Sequence, residues 1–287
     1  MERFIRLIRI LIIRKIGDRA DLLLRKSQGS HSHTMTLYLI AREMLTLGEE
    51  LSPYLLREIL MKASRRVPGY AEFVRHVGDV RTIASFTGND FMSSVLSRCK
   101  RLQMDEVTEL LSSTPPHKKI YHSDDLEKTS RAQDYVPLGV RKSMARRFDP
   151  KTLENLLTDQ NPAVIRHVLN NPRTTEEMIM KTASLRPTSP EILEEIFVHE
   201  KWGSRYRIRK SLVFNPYSPP RISHALLPLL LMQDLMDVSL SRVLHPNLYR
   251  ASKRVILHRI AEMSPGEKKD FSRVYSGTLK RIFLEVG

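Results

Sequence analysis

Apolar residues recur along this chain at the three- and four-residue intervals of short amphipathic helices, and no alternating Val/Ile/Thr run of strand type appears. Residues 1–16 predict a helix ending at Gly17, where a left-handed cap residue costs least. At 100° per residue Phe4, Ile5, Leu7, Ile8, Leu11, Ile12 and Ile16 share one broad face, and Arg3, Arg6, Arg9 and Arg14 gather opposite. A helix of that kind either docks its Ile/Leu face on the rest of the protein or lies on an anionic membrane surface, with Phe4, Ile5, Ile8, Leu11 and Ile12 as the contact residues. Arginines interrupt every apolar run, so the segment cannot span a bilayer or serve as a signal peptide's core. Ser27–Thr34 then predicts a polar, flexible joint.

From Thr34 to Ser112 the pattern is one of further short helices, with Gly48 as a stop, Ser52-Pro53 as a start and Val67-Pro68-Gly69 as a break. Residues 113–134, with Pro115-Pro116 and little periodicity, predict a linker or long loop. Beyond it, a small polar residue repeatedly precedes Pro: Asp149-Pro150, Asn161-Pro162, Asn171-Pro172, Ser189-Pro190, Asn215-Pro216, Ser218-Pro219 and Ser264-Pro265. Ser, Asp or Asn accepts from the orphan amides of a helix start, and Pro at the first helical position has no N–H to leave unsatisfied. Thr174 and Glu177 have the spacing of a capping box. The chain thus divides into a basic N-terminal helix (1–26), a helical region (27–112), a linker (113–134) and a C-terminal repeat region (135–287).

Two windows in that last region align. Val164-Ile165-Arg166-His167-Val168-Leu169-Asn170-Asn171-Pro172 and Ile208-Arg209-Lys210-Ser211-Leu212-Val213-Phe214-Asn215-Pro216 put apolar residues at matching distances before Asn-Pro, with weaker copies at Val140–Pro150 and Val238–Pro246. A short helix, an Asn-Pro turn and a second short helix cannot bury both helices alone, whereas stacked copies share a continuous core. The pattern, over residues 136–262, resembles the leucine-rich-repeat-variant and HEAT-like α-solenoid families. The resemblance implies an all-α, right-handed solenoid of degenerate repeats, and a structural ladder role for Arg141, Arg166 and Arg209. One branch of those families carries a four-cysteine iron–sulfur cluster; Cys99 is the sole Cys here, so no such cofactor is expected.

Composition adds a charge problem. The formal net charge is +15 over 287 residues, and it is unevenly placed. Residues 1–30 hold 8 Lys/Arg against 3 Asp/Glu and residues 201–287 hold 16 against 6, while the stretches between them balance. Such a field attracts nucleic acid, anionic lipid or an acidic protein face, or serves solubility alone. The densest cations are Arg205, Arg207, Arg209 and Lys210, beside Trp202 and Tyr206, and Arg250, Lys253 and Arg254, beside Tyr249. On helices Arg205 with Arg209 and Arg250 with Arg254, each four apart, share a face, and the set forms a candidate anion or nucleic-acid contact, with Trp202 or Tyr206 available for base stacking. The bland reading is a solvated basic face.

Few chemistries remain. His31 and His33 in the joint are too few for a metal site and are expected to be solvated, and Glu195 with His199 suggests an acidic surface stripe. No Gly-rich nucleotide loop, Walker-type loop or Gly-x-Ser-x-Gly elbow occurs. Cys99, although flanked by Arg98 and Lys100, is expected to be a packing residue. No metal, cofactor or catalytic residue is therefore expected. The expected protein is a cytoplasmic, non-enzymatic scaffold for another protein or a nucleic acid, with peripheral membrane attachment through residues 1–16 and a HEAT-like DNA-repair glycosylase using Trp202 as the alternatives.

Overall fold

The computed structural model describes residues 2–29, 32–118, 136–147 and 149–283, with side chains from residue 14 onward. The side chains of Phe4, Ile5, Ile8, Leu11 and Ile12, and most of the expected linker, lie outside the described residues. Among the described residues there are seventeen α-helices, one 3-10 turn and no strand, so the all-helical class holds. The chain divides into two compact units, one formed by residues 1–112 and 254–274, the other by 113–253 and 275–287.

The first unit is organised by one long broken helix. α1 spans Glu2–Gln28 and α2 spans His33–Ser64, followed by α3 (Tyr70–Val77), α4 (Val80–Thr87), α5 (Asn89–Arg101) and α6 (Asp105–Leu111). α1, α3, α4, α5 and α6 all pack on α2, which buries Leu37, Ile40, Met44, Leu55, Leu56 and Ile59 completely. Each such side chain contributes about 1.5–3 kcal/mol by leaving water. Gly48, at φ 70°, breaks α2 as expected, and Ser52 Oγ lies 2.9 Å from Met44 O and 2.7 Å from Gly48 O, satisfying carbonyls freed at the kink. Gly69 also needs a left-handed backbone, at φ 84°, and a Cβ there would come within 2.7 Å of Gln28 Nε2.

The N-terminal helix does not stop at Gly17. Ile16, Ala20, Leu23 and Leu24 are buried, and Lys62 Nζ donates to Gly17 O at 3.2 Å and to Asp21 Oδ1 at 2.8 Å. Packing against α2 thus outweighs the propensity of one glycine. The expected flexible joint shrinks accordingly, since Ser27 and Gln28 belong to α1 and Ser32 caps α2.

The second unit is a succession of short helices: α7 (Leu138–Ala145), α8 (Pro150–Leu156), α9 (Pro162–Leu169), α10 (Glu176–Ser184), α11 (Pro190–Val198), α12 (Glu200–Gly203), α13 (Tyr206–Val213), α14 (Pro220–Leu226) and α15 (Met232–Leu240). α7 packs on α9, α9 on α11 and α10 on α13, so elements meet their next neighbours but one or two. α16 (Pro246–Glu262) and α17 (Pro265–Phe283) follow, and the division between the units falls inside both. Asp149 and Asn161 cap α8 and α9 with Pro at the first position, as the sequence predicts. The capping box does not form at Thr174: Thr175 is the cap of α10, accepting from Met178 N, and Thr174 Oγ1 instead donates to Val168 O.

Asn171-Pro172 and Asn215-Pro216 do something other than start helices. Asn171 is buried, and its two amide hydrogens reach Ala145 O at 2.9 Å and Arg147 O at 2.8 Å, closing the end of α7. Asn215 repeats this on α10, donating to Ala183 O at 2.9 Å and Leu185 O at 3.1 Å. Each Asn Oδ1 accepts from the amide two residues on, Arg173 or Tyr217. Three residues on, Thr174 or Ser218 turns its hydroxyl onto the carbonyl of Val168 or Leu212 at 2.6 Å. The working unit is therefore Asn-Pro-x-Ser/Thr. His245-Pro246 is a degenerate copy in which His245 Nδ1 accepts from Asn247 N at 3.2 Å.

These sutures differ in kind from an ordinary cap, and the difference is measurable. Asn215→Ala strands two carbonyls and is expected to cost about 2–4 kcal/mol of stability, whereas Asn161→Ala, the loss of one cap, costs about 1 kcal/mol. Urea denaturation of the two variants tests the ranking, and equal losses would contradict the suture.

Candidate functional site

Many of the second unit's charges are paired with one another, some enclosed and some at the surface. Arg141 pairs with Asp159 at 2.6 Å, the Asp side chain being fully buried. Arg166 pairs with Glu195 through two guanidinium nitrogens. Lys181 meets Glu154, Arg207 meets Glu177 and Arg221 meets Glu194. Lys210 lies 2.7 Å from Asp234. Each pair joins separate stretches of the chain, which makes the set a ladder. The acidic stripe expected around Glu195 is thus not a solvated one: Glu194 and Glu195 hold Arg221 and Arg166 at side-chain exposures of 13% and 19%.

This ladder redistributes the candidate contact residues. Arg209 is buried and its Nε donates to Gly203 O at 2.9 Å. Arg207 and Lys210 are ladder members, the first in an exposed pair that contributes about 0–1 kcal/mol and that an external anion can displace. Lys253 sits over the rings of Tyr249 and Phe283. Arg254 belongs to the first unit, where it pairs with Asp105 and Glu106, each at 3.3 Å. Arg205 and Arg250 are exposed and have no carboxylate partner among the described residues.

The aromatic half of the expected nucleic-acid contact is spent on structure. Trp202 is 2% exposed, its Nε1 donates to Leu169 O at 2.8 Å at the end of α9, and Lys201 covers its ring at 4.1 Å. Tyr206 donates its hydroxyl proton to Asp234 and accepts from Leu231 N at 3.0 Å. Neither ring is presented to a base, which also removes the aromatic expected of a lesion-binding glycosylase.

Cys99 is fully buried and burial pushes its thiol up to about 11, so it packs rather than reacts. Among the described residues no group of three or more His, Cys, Asp or Glu is arranged to hold a metal ion, and no helix is long and apolar enough to cross a membrane.

The first unit contains a cluster that sequence reasoning missed. His33, expected to be solvated, is 14% exposed and opens α2 against the ends of α3 and α4. Its Nδ1 lies 2.6 Å from His76 Nδ1 and its Nε2 lies 3.2 Å from Asp79 Oδ2. Asp79 in turn caps α4 by accepting from Thr82 N. With both rings neutral, His76 donates from Nδ1 to His33, and His33 donates from Nε2 to Asp79. Burial, with Arg75 and His33 nearby, lowers His76 to about 3. Burial works to raise Asp79, but hydrogen bonds from His33 and Thr82 outweigh it and leave the carboxyl below its ordinary range. The partners lie 43 and 46 residues apart, and the only signal in the chain is that His33, His76 and Asp79 each stand at a helix boundary.

What this geometry defines is a protein that is all-helical among the described residues, with long helices in its first unit and short helices sutured by side chains and an internally paired charge ladder in its second. No family model, curated protein or solved structure matches the chain.

The histidine cluster fixes an acid response. His76 stays neutral in the fold while the unfolded chain takes up a proton below its ordinary value of 6.5. Stability is therefore full above that pH and falls as the pH drops towards about 3, by up to about 1.4 kcal/mol per pH unit. The lowered Asp79 adds to the loss in the same direction below its ordinary value of 3.8. Thermal melts between neutral and acid pH check this, with His76→Gln expected to flatten the decline and an unchanged slope contradicting it.

Proposed function

We propose that this chain is a non-enzymatic binding scaffold: an α-solenoid of degenerate HEAT-like or leucine-rich-repeat-variant repeats, cytoplasmic, whose basic surface holds an anionic partner. Packing of helices on their next neighbours but one or two, and the repeated Asn-Pro-x-Ser/Thr suture, support the stacked-repeat reading. The anionic partner rests on one observation: Arg205 and Arg250 stay exposed and without a carboxylate in a segment that carries 16 Lys/Arg against 6 Asp/Glu. Arg207, held by a displaceable surface pair, joins them when an anion arrives. With Trp202 and Tyr206 committed internally, an acidic protein face fits better than single-stranded nucleic acid, which needs rings to stack on.

Titration of the full chain with an acidic protein segment, duplex DNA and RNA at several salt concentrations tests the reading. Salt-sensitive binding strongest for the acidic segment, weakened about tenfold by the double variant Arg205→Ala/Arg250→Ala, is expected. Absence of salt-sensitive binding to all three overturns it.

A further inference from the structure

Pairing in the second unit leaves Lys142 and Arg146 without a carboxylate among the described residues, in a stretch of sequence, residues 112–200, whose charges sum to zero. Arg146, exposed at the end of α7, places Nη2 3.1 Å from Nε2 of His167 on α9. Lys142 lies one helical turn before Arg146 on the same helix. Arg166 adjoins His167 in sequence but is neutralised by Glu195. Arg141, beside Lys142, is likewise held by Asp159. Lys142 and Arg146 have no carboxylate partner among the described residues.

We propose that Lys142, Arg146 and His167 form a binding site for a phosphate monoester between α7 and α9. The like charges repel one another, and that cost is relieved when a dianion enters. Arg146 spends one guanidinium nitrogen on His167 and keeps its other N–H groups for two phosphate oxygens, a match to the planar fork of the side chain. His167 accepts from Arg146 at Nε2, so the neutral ring carries its proton on Nδ1. Burial and the surrounding cations depress its charged form; a bound dianion reverses that field and draws a second proton onto Nε2, which then releases Arg146 and donates to the phosphate. Lys142 supplies the remaining charge.

The partners of the flanking residues decide which anion fits. If Arg141 and Arg166 were free, the cations would run on as a track suited to a polymer of diesters. Because Asp159 and Glu195 hold them, Arg141 and Arg166 do not extend the cluster along α7 and α9. Arg147, with no carboxylate among the described residues, is the unpaired cation beside it, a short group that suits a single terminal phosphate of charge about −2. The site shares with the proposed function the premise of an anionic partner but none of its residues.

Inorganic phosphate titrated into the full chain, read by the ring signals of His167 in nitrogen-correlated NMR with His167→Gln for assignment, tests the site. A saturable shift with a Kd on the order of 1 mM or tighter is expected, together with a rise in the His167 pKa. Arg146→Gln, at an exposed position, and Lys142→Gln, at a half-buried one, break no ion pair among the described residues and are each expected to weaken the response about tenfold while leaving the melting temperature in place. O-phosphoserine competing for the shift identifies a soluble monoester, and phosphatidic acid vesicles displaced by inorganic phosphate identify a lipid-borne one. An oligonucleotide without terminal phosphates that competes better than O-phosphoserine overturns the monoester. Absence of a saturable shift, or a shift unchanged in both variants, overturns the site. Loss of polyanion binding in Arg205→Ala/Arg250→Ala with the His167 response intact separates this site from the proposed function.

Discussion

Everything in the second unit depends on how short helices dispose of their last carbonyls. The final four C=O groups of any α-helix lack a partner within it, and in helices of seven to nine residues such as α7 to α11 that is about half of all the carbonyls. Water cannot serve where the ends are buried, so donors must come from elsewhere in the chain. Asn171 closes α7, Trp202 reaches Leu169 at the end of α9, Asn215 closes α10, Thr182 meets Leu157 just past α8, and Arg186 meets Phe214 just past α13. Each of these helices is completed by a residue from a distant part of the chain, in a loop for Asn171, Asn215 and Arg186 and in another helix for Trp202 and Thr182. A single such bond nets only about 1 kcal/mol, but an unmet buried carbonyl costs about 1–3 kcal/mol, so each closed helix is destabilised more by losing its partner than it gains from the bond itself.

The same dependence governs the charges. Arg141 and Asp159 form the most enclosed pair, and with the carboxylate wholly buried, removing either partner leaves an isolated charge at a cost of about 3–5 kcal/mol. Arg207–Glu177 and Lys181–Glu154 are exposed and contribute far less. The ladder therefore holds register at its enclosed rungs and leaves its outer rungs open to exchange with an external anion. A basic protein built this way keeps its fold independent of whether the surface is occupied.

How much of this was legible in the chain depends on the distance between partners. Asp149-Pro150 and Asn161-Pro162 cap helices because the bond closes within two or three residues, where the sequence itself carries the geometry. Asn171 and Asn215 have the same dipeptide, yet their amides act on carbonyls 24 to 32 residues upstream, which no local pattern reveals. Gly17 would end an isolated helix, but Lys62 and the buried face of α2 carry α1 through it to Gln28. Trp202 and Tyr206 sit beside arginines in the sequence as a nucleic-acid binder's rings would, and in the fold both serve as hydrogen-bond donors to their own chain. His33, His76 and Asp79 are unremarkable singly, and their meeting is a product of α2, α3 and α4 packing together.

Charge shows most sharply why a sum along the chain is not the field a partner meets. Residues 201–287 carry an excess of ten, yet Arg209, Lys210 and Arg254 are occupied inside their own units. Residues 112–200 balance at 13 and 13, yet Lys142 and Arg146 have no carboxylate partner among the described residues, while Asp159, Glu194 and Glu195 answer other arginines. Ion pairs are made in space and at short range, so a carboxylate spent on one cation does nothing for another more than a Debye length away, about 8 Å in physiological salt. What a partner meets is the remainder after internal pairing. That remainder is local and geometric, and it is strongest where the ladder runs out of acids.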